Sequence, residues 1–366
     1  MLQHKKLGVN SLIYNSSLFG PVFGLSEKLY MWCVNTLLEK TKDRVLVLDL
    51  TWTQGFEDTV LKMIENKYDR LLVMNVLDPN YMNFWQMVNK VRSHMLFDYE
   101  KVSIFGYTDN FIKSDSHKIG YNYLPNFDLW MVFEQQKDIF YDFGTRQKLY
   151  NCMMRIPKPS RFNTLCLLAD ADMLEEGTVT FSKRNKITNQ SAEDFIQFIK
   201  PKALESRIQR GYDIVKDMLP LRIDNDDVLN DGYGMNELFT KAIQDTKIDF
   251  SVETEVDFEF TQTRFVTEKI YRPICMARPF IAVAQPGTLA YLKDFGFETF
   301  NNFWSEEYDK ISNTDHRIAY AIEQLKTVRH KDQAFWNEVQ AVCDRNKLHI
   351  HNVVDQQIKQ VEQCQW

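Results

Sequence analysis

At 366 residues the chain is long for one hydrophobic core and comfortable for two domains, and its 44% apolar and 13% aromatic content can fill both. A net charge of −6 with a pI near 5.7 argues against tight nonspecific binding to nucleic acid and leaves room only for a local basic patch. No run approaches the roughly 20 apolar residues of a membrane span, and no signal-peptide core follows Met1-Leu-Gln-His-Lys-Lys6. Cys33, Cys152, Cys166, Cys275, Cys343 and Cys364 form neither a CxxC pair nor a metal-ligand spacing. The expectation is a globular cytoplasmic chain with reduced cysteines and no membrane segment.

In chain order, helical patterns at 26–40, 57–67 and 81–97 each precede a short apolar run, at 44–50, 70–76 and 101–106. Such runs read as parallel strands, and the alternation predicts a doubly wound α/β sheet. Residues 128–133 read as a further strand, and 134–149 as a polar helix where the chain crosses between domains. Beyond it come a helix at 162–174, an extended stretch at 177–182, a polar loop at 183–192 and a helix at 193–218 broken near Pro201. An acidic loop at 220–234 holds Asp224, Asp226, Asp227 and Asp231, and a helix at 236–244 leads into a strand at Phe250. Residues 315–366 are charged and periodic, hence helical. The division expected is 1–145 and 146–345, two Rossmann-like domains, with a helical tail at 346–366.

The most chemical stretch runs from Phe265 to Gly287. Thr267 can cap a helix whose first turn carries Glu268 and Lys269, so free N–H groups, a carboxylate and an ammonium meet at one point. A diphosphate and its sugar suit such a point, although a capping Thr followed by Glu and Lys also begins many ordinary helices. After Pro279, residues 280–284 read as a strand buried on both faces, and Gln285-Pro286-Gly287 turns the chain into a helix at Thr288. Arg155, Lys158 and Arg161 follow another possible strand and could grip phosphate oxygens or form a solvated turn.

Phe250-Ser-Val-Glu253, the Phe265 to Lys269 stretch, Arg278-Pro-Phe280 and Pro286 to Phe297 together resemble the donor-binding half of fucosyltransferase-like GT-B glycosyltransferases. Tyr150 to Arg161 is similar to the strand and basic turn that open that half, and the stretch from Thr299 to Asp309 with His351-Asn352 resembles a tail of uncharacterised viral and marine members. The resemblance implies a GT-B-like fold, two Rossmann-like domains facing across a cleft, and a nucleoside-diphosphate sugar as co-substrate without a divalent metal. In the resembled enzymes the matching Glu contacts the nucleotide ribose and the matching Lys the diphosphate. Glu268 is then the ribose acceptor, Lys269 with Arg155 stabilises the leaving diphosphate, and Lys158 and Arg161 are outer charges. Thr267 caps the helix, and Glu253 contacts the donor sugar or a loop. The acceptor would be a glycan or another hydroxyl, and the cytoplasm that of a host if the chain is viral.

An inverting transfer also needs a base, for which Glu57 and Asp109, each following a predicted strand, are the candidates; either also fits a helix cap or a surface charge. Three other readings stay open. Asp170-Ala-Asp172 after an apolar run could hold a divalent ion on a diphosphate, as in GT-A transferases, although the segment also reads as a helix. The acceptor could be a modified nucleic-acid base, as in some phage enzymes, or the chain could be an inactive sugar-nucleotide or glycan-binding protein. GxGxxG, P-loop, GxSxG and HExxH motifs are missing from the sequence.

Overall fold

The computed structural model describes residues 3–7, 11–15, 24–49, 68–75, 101–106, 120–123, 129, 132–133, 146–154, 157–184, 191, 194–195, 204–222, 237–256, 264 and 266–363. The chain divides into two compact units, one of Met1–Gln135, Phe258–Phe265 and His351–Trp366, the other of Gln136–Asp257 and Val266–Ile350.

The first unit is built on a six-stranded sheet in the order β1-β2-β3-β4-β5-β6. β1 (Gln3–Leu7) runs antiparallel to β2 (Ser11–Asn15). β3 (Val45–Asp49), β4 (Arg70–Asn75), β5 (Val102–Gly106) and β6 (Gly120–Tyr123) continue from β2 in parallel. Parallel strands covered on both faces need continuous apolar runs, and Val45, Leu46, Val47, Leu71, Leu72 and Val102 are all fully buried. α1 (Gly24–Leu38) buries Cys33 and Val34. At the start of β3 and β4 the chain is stapled by charge: Arg44 grips Asp69 through Nε at 2.9 Å and its terminal nitrogen at 2.8 Å, and Arg70 pairs with Asp43.

Two expectations fail in this unit. The described strands succeed one another in chain order, so the reversal that defines a doubly wound sheet does not occur among them. Leu129, Val132 and Phe133 are helical, not extended. A short unbroken apolar run carries no period that separates strand from buried helix, and Leu129 and Val132 are both buried.

The second unit carries a four-stranded, wholly parallel sheet in the order β10-β9-β7-β8. The strands are β7 (Lys148–Met153), β8 (Gly177–Thr180), β9 (Thr246–Val252) and β10 (Phe280–Val283). All four residues of β10 are buried, as its apolar run predicts. The chain first steps from β7 to β8 on one side and then returns to add β9 on the other. The order therefore reverses between β7 and β9, and ligands of open α/β sheets bind at the carboxyl ends of the strands at such a reversal.

Helices α2 (Pro159–Asp170), α3 (Glu205–Val215), α4 (Glu237–Gln244), α5 (Glu268–Cys275), α6 (Thr288–Asp294) and α7 (Thr314–Val328) belong to this unit. α8 (Gln333–Gln363) begins in it and ends among residues of the first, so the tail expected from 346 is the continuation of one longer helix. α3 rests on α2 at Gly211, where a Cβ would stand 1.8 Å from the Cys166 carbonyl oxygen. Gly287 adopts φ 79°, the left-handed conformation that turns the chain from β10 into α6.

Candidate functional site

The carboxyl ends of β7 and β9 bring together the starts of α2 and α5. Pro159 opens α2 because its fixed φ and missing N–H suit the first helical position. That sets Lys158 at the cap and Arg161 in the first turn. Lys158 Nζ donates to Glu255 Oε1 at 3.3 Å and to the Thr254 carbonyl at 3.4 Å. Arg161 is 5% exposed and donates to Thr254 Oγ1 at 3.3 Å. Burial lowers the pKa of both cations, with Glu255 countering it at Lys158 and Glu253 and Glu268 at Arg161.

α5 begins as its sequence predicts. Thr267 is extended and its Oγ1 accepts from the Lys269 N–H at 3.3 Å, the ordinary N-cap bond. Lys269 Nζ lies 2.7 Å from Glu268 Oε1 and 3.3 Å from Thr267 Oγ1. Burial would raise the Glu268 pKa, but the Lys269 and Arg272 charges and the hydrogen bonds outweigh it and hold the carboxyl at about 2. Glu268 is thus an ionised acceptor at any working pH.

Two polar contacts fasten this turn to β9. Glu253, the residue after β9, is fully buried. Its Oε1 accepts from the Thr267 N–H at 2.8 Å, and its Oε2 accepts from the Thr267 hydroxyl at 2.8 Å and the Thr254 N–H at 3.1 Å. Burial raises its pKa, with Lys269 and the Thr267 hydrogen bonds pulling the other way. The second contact follows from Pro273 inside α5. A proline has no N–H for the carbonyl four residues earlier, here that of Lys269, and the Ser251 hydroxyl lies 2.8 Å from that carbonyl instead.

Ser251 Oγ is also 2.6 Å from Asp249 Oδ1. One hydroxyl hydrogen cannot serve two acceptors fully, and burial raises the Asp249 pKa, with the Ser251 hydrogen bond, the Arg272 and Arg278 charges and Asn151 pulling the other way. The next helix start is filled from within: the Asp309 carboxylate accepts from the Leu289 N–H at the head of α6, at 3.2 Å to each oxygen.

Of the residues singled out in the sequence, Lys158, Glu253, Thr267, Glu268 and Lys269 thus share one site. Of the two contacts expected of Glu253, the one to the loop is what the described residues show: it is fully buried and its two oxygens serve Thr267 and Thr254. Arg161 is corrected, from an outer charge to a buried one beside Glu253 and Glu268. Thr254 and Glu255 carried no signal beyond following Glu253. Asp170 ends α2 and is held by Arg207 at 2.6 Å and Arg210 at 2.9 Å, while Asp172 is exposed in a turn at φ 58°. Of the Asp-x-Asp pair, Asp170 is thus taken up by two guanidinium groups, and no group of three metal-ligating side chains occurs among the described residues. Arg155, Glu57, Asp109, Asp224, Asp226, Asp227 and Asp231 lie outside the described residues.

No helix among the described residues is long and apolar enough to cross a membrane. No protein-family model and no curated protein matches the chain. Among solved structures it is similar to a DNA-modifying β-glucosyltransferase, studied in the presence and absence of uridine diphosphoglucose. The likeness covers 92% of this chain and 93% of that one, at 11% identity and a TM-score of 0.41.

Proposed function

We propose that the chain is a GT-B-type glycosyltransferase, its donor half fucosyltransferase-like, that moves a sugar from a nucleoside-diphosphate sugar to a hydroxyl acceptor. The observation that carries this reading is the meeting of Lys158, Arg161, Glu268 and Lys269 at the sheet's order reversal, at the cap and first turn of α2 and the first turn of α5. An ionised Glu268 accepts the two ribose hydroxyls. Lys269, with Lys158 and the proposed Arg155, faces the diphosphate, whose charge grows as the glycosidic bond to the sugar breaks. Fixed cations at that point favour the transition state over the intact donor without a metal. Glu57 or Asp109 is proposed to take the proton from the acceptor hydroxyl, which then attacks the sugar carbon from the face opposite the leaving group.

The test is a thermal-shift screen of nucleoside diphosphates with and without EDTA. A specific nucleotide at about 100 times its Kd adds roughly 2.7 kcal/mol, and chelation should leave that gain in place. Stabilisation abolished by EDTA and by Asp172→Ala would instead restore the metal-bridged reading.

A further inference from the structure

We infer that Glu253 is a positioning residue that aims the Lys269 ammonium by fixing the direction of the Thr267 hydroxyl. A threonine hydroxyl has one hydrogen and two lone pairs. Around Thr267 Oγ1 stand the Glu253 carboxylate at 2.8 Å, the Lys269 N–H at 3.3 Å and the Lys269 ammonium at 3.3 Å. Both Glu253 oxygens already accept backbone N–H groups, from Thr267 and Thr254, and both Lys269 groups can only donate, so the hydroxyl hydrogen points to Glu253 and the lone pairs point to Lys269. No other assignment satisfies all three contacts.

Glu253 can impose this direction because it is itself immobile. Its backbone N–H donates to the Val283 carbonyl at 2.9 Å, extending the β9–β10 ladder by one residue, and its side chain is sealed from solvent. The carboxylate carries the position of the sheet edge to the cap of α5 and through the cap to the ammonium. Glutamine at 253 breaks the pattern without changing the shape. Its NH₂ must stand either in place of Oε1, facing the Thr267 N–H donor against donor, or in place of Oε2, facing the Thr254 N–H donor against donor and the Thr267 hydroxyl, which would then turn its hydrogen toward Lys269.

The inference takes its ligand from the donor-site reading above, but its geometry stands apart from that reading. The experiment is a double-mutant cycle of Glu253→Gln and Lys269→Ala, read as the Kd of inorganic pyrophosphate by calorimetry. Glu253→Gln should weaken pyrophosphate about tenfold, the scale of one hydrogen bond to a charged group, and should cost nothing further once Lys269 is alanine. Equal losses in both backgrounds would overturn the inference, because Glu253 would then act without Lys269. Should Glu253→Gln fail to fold, Thr267→Val, which removes only the hydroxyl, takes its place in the cycle.

If the wild-type protein does not bind pyrophosphate, the donor-site reading fails and the positioning role is read by NMR of the ¹³C-methylated lysines. The Lys269 signal, assigned by its loss in Lys269→Arg, should then move in Glu253→Gln while other lysines hold still. An unmoved Lys269 signal refutes the role.

Discussion

Replacing Lys269 with alanine separates a donor site from a mere helix start. The ammonium sits 2.7 Å from Glu268, with the two side chains 20% and 17% exposed. Breaking a fully buried pair costs about 3–5 kcal/mol and an exposed one about 0–1. This pair lies between, and Arg272 still supports Glu268 after the change, so about 1–2 kcal/mol of stability should be lost. The Glu268 pKa, held near 2 in the intact pair, should rise. A carboxyl with a depressed folded-state pKa contributes stability above its unfolded value and loses it as pH falls through the folded one. The acid limb of a denaturation curve should therefore move to higher pH in Lys269→Ala.

The functional loss should be larger. Removing one donor that stabilises transition-state charge lowers turnover by about 10²–10³-fold, so kcat should fall with donor affinity. The assay is steady-state transfer with the nucleotide sugar picked by the thermal-shift screen, beside direct binding of its nucleoside diphosphate. Glu268→Gln should behave differently, keeping the shape and one acceptor oxygen, with weaker donor binding and a largely kept kcat. Intact turnover and intact nucleotide binding in a folded Lys269→Ala protein would refute the functional assignment.

Lys158→Ala should weaken a nucleoside diphosphate more than the free nucleoside, since its cation is proposed to meet phosphate oxygens; equal losses in calorimetry would make it structural. Gly211→Ala should destabilise by about 1–3 kcal/mol through overpacking against the Cys166 carbonyl, 1.8 Å from the added carbon, and an unchanged melting temperature would contradict that packing. Asp170→Ala should lower stability, because Arg207 and Arg210 lose their shared carboxylate, yet leave nucleotide affinity unchanged with or without EDTA. Asp249 has a raised pKa in the fold, so the stability it contributes is fully present below the ordinary aspartate value of about 3.9 and is lost as pH rises through the folded value. Asp249→Asn should flatten that decline in urea melts at successive pH values, and parallel curves would refute the raised Asp249 pKa.

The strands at Val45–Asp49, Arg70–Asn75, Val102–Gly106 and Phe280–Val283 were legible because burial on both faces demands the unbroken apolar runs they show. The start of α5 was legible from its cap, and the turn before α6 from Gly287. Strand order was not, since adjacency in a parallel sheet is a property of the crossovers and leaves no local pattern. The chain-order sheet of the first unit and the reversal in the second therefore emerged only from the pairing. Arg161 and Lys158 look alike as charges near a turn, yet Pro159 fixes where α2 begins and thereby turns Arg161 inward.

At Glu253 two readings were open in the sequence, a contact to the donor sugar and a contact to a loop, and the described residues show the second. A carboxylate just past a strand end reads as a ligand contact, because residues at that place in an α/β sheet so often are. What decides the matter is whether the chain brings donors back to it. Thr267 is fourteen residues further on, across a stretch assigned largely to the other unit, and its N–H and hydroxyl consume the carboxylate before any ligand could. Pro273 works the same way at the other contact: it withholds an N–H from the Lys269 carbonyl, which is left for a strand hydroxyl to approach. Both features cost local helix stability or burial energy, and both act on the one turn that carries Glu268 and Lys269. The Thr267 hydroxyl answers only the Lys269 N–H, and the Glu253 carboxylate and the Ser251 hydroxyl hold the Thr267 N–H and the Lys269 carbonyl on either side of it.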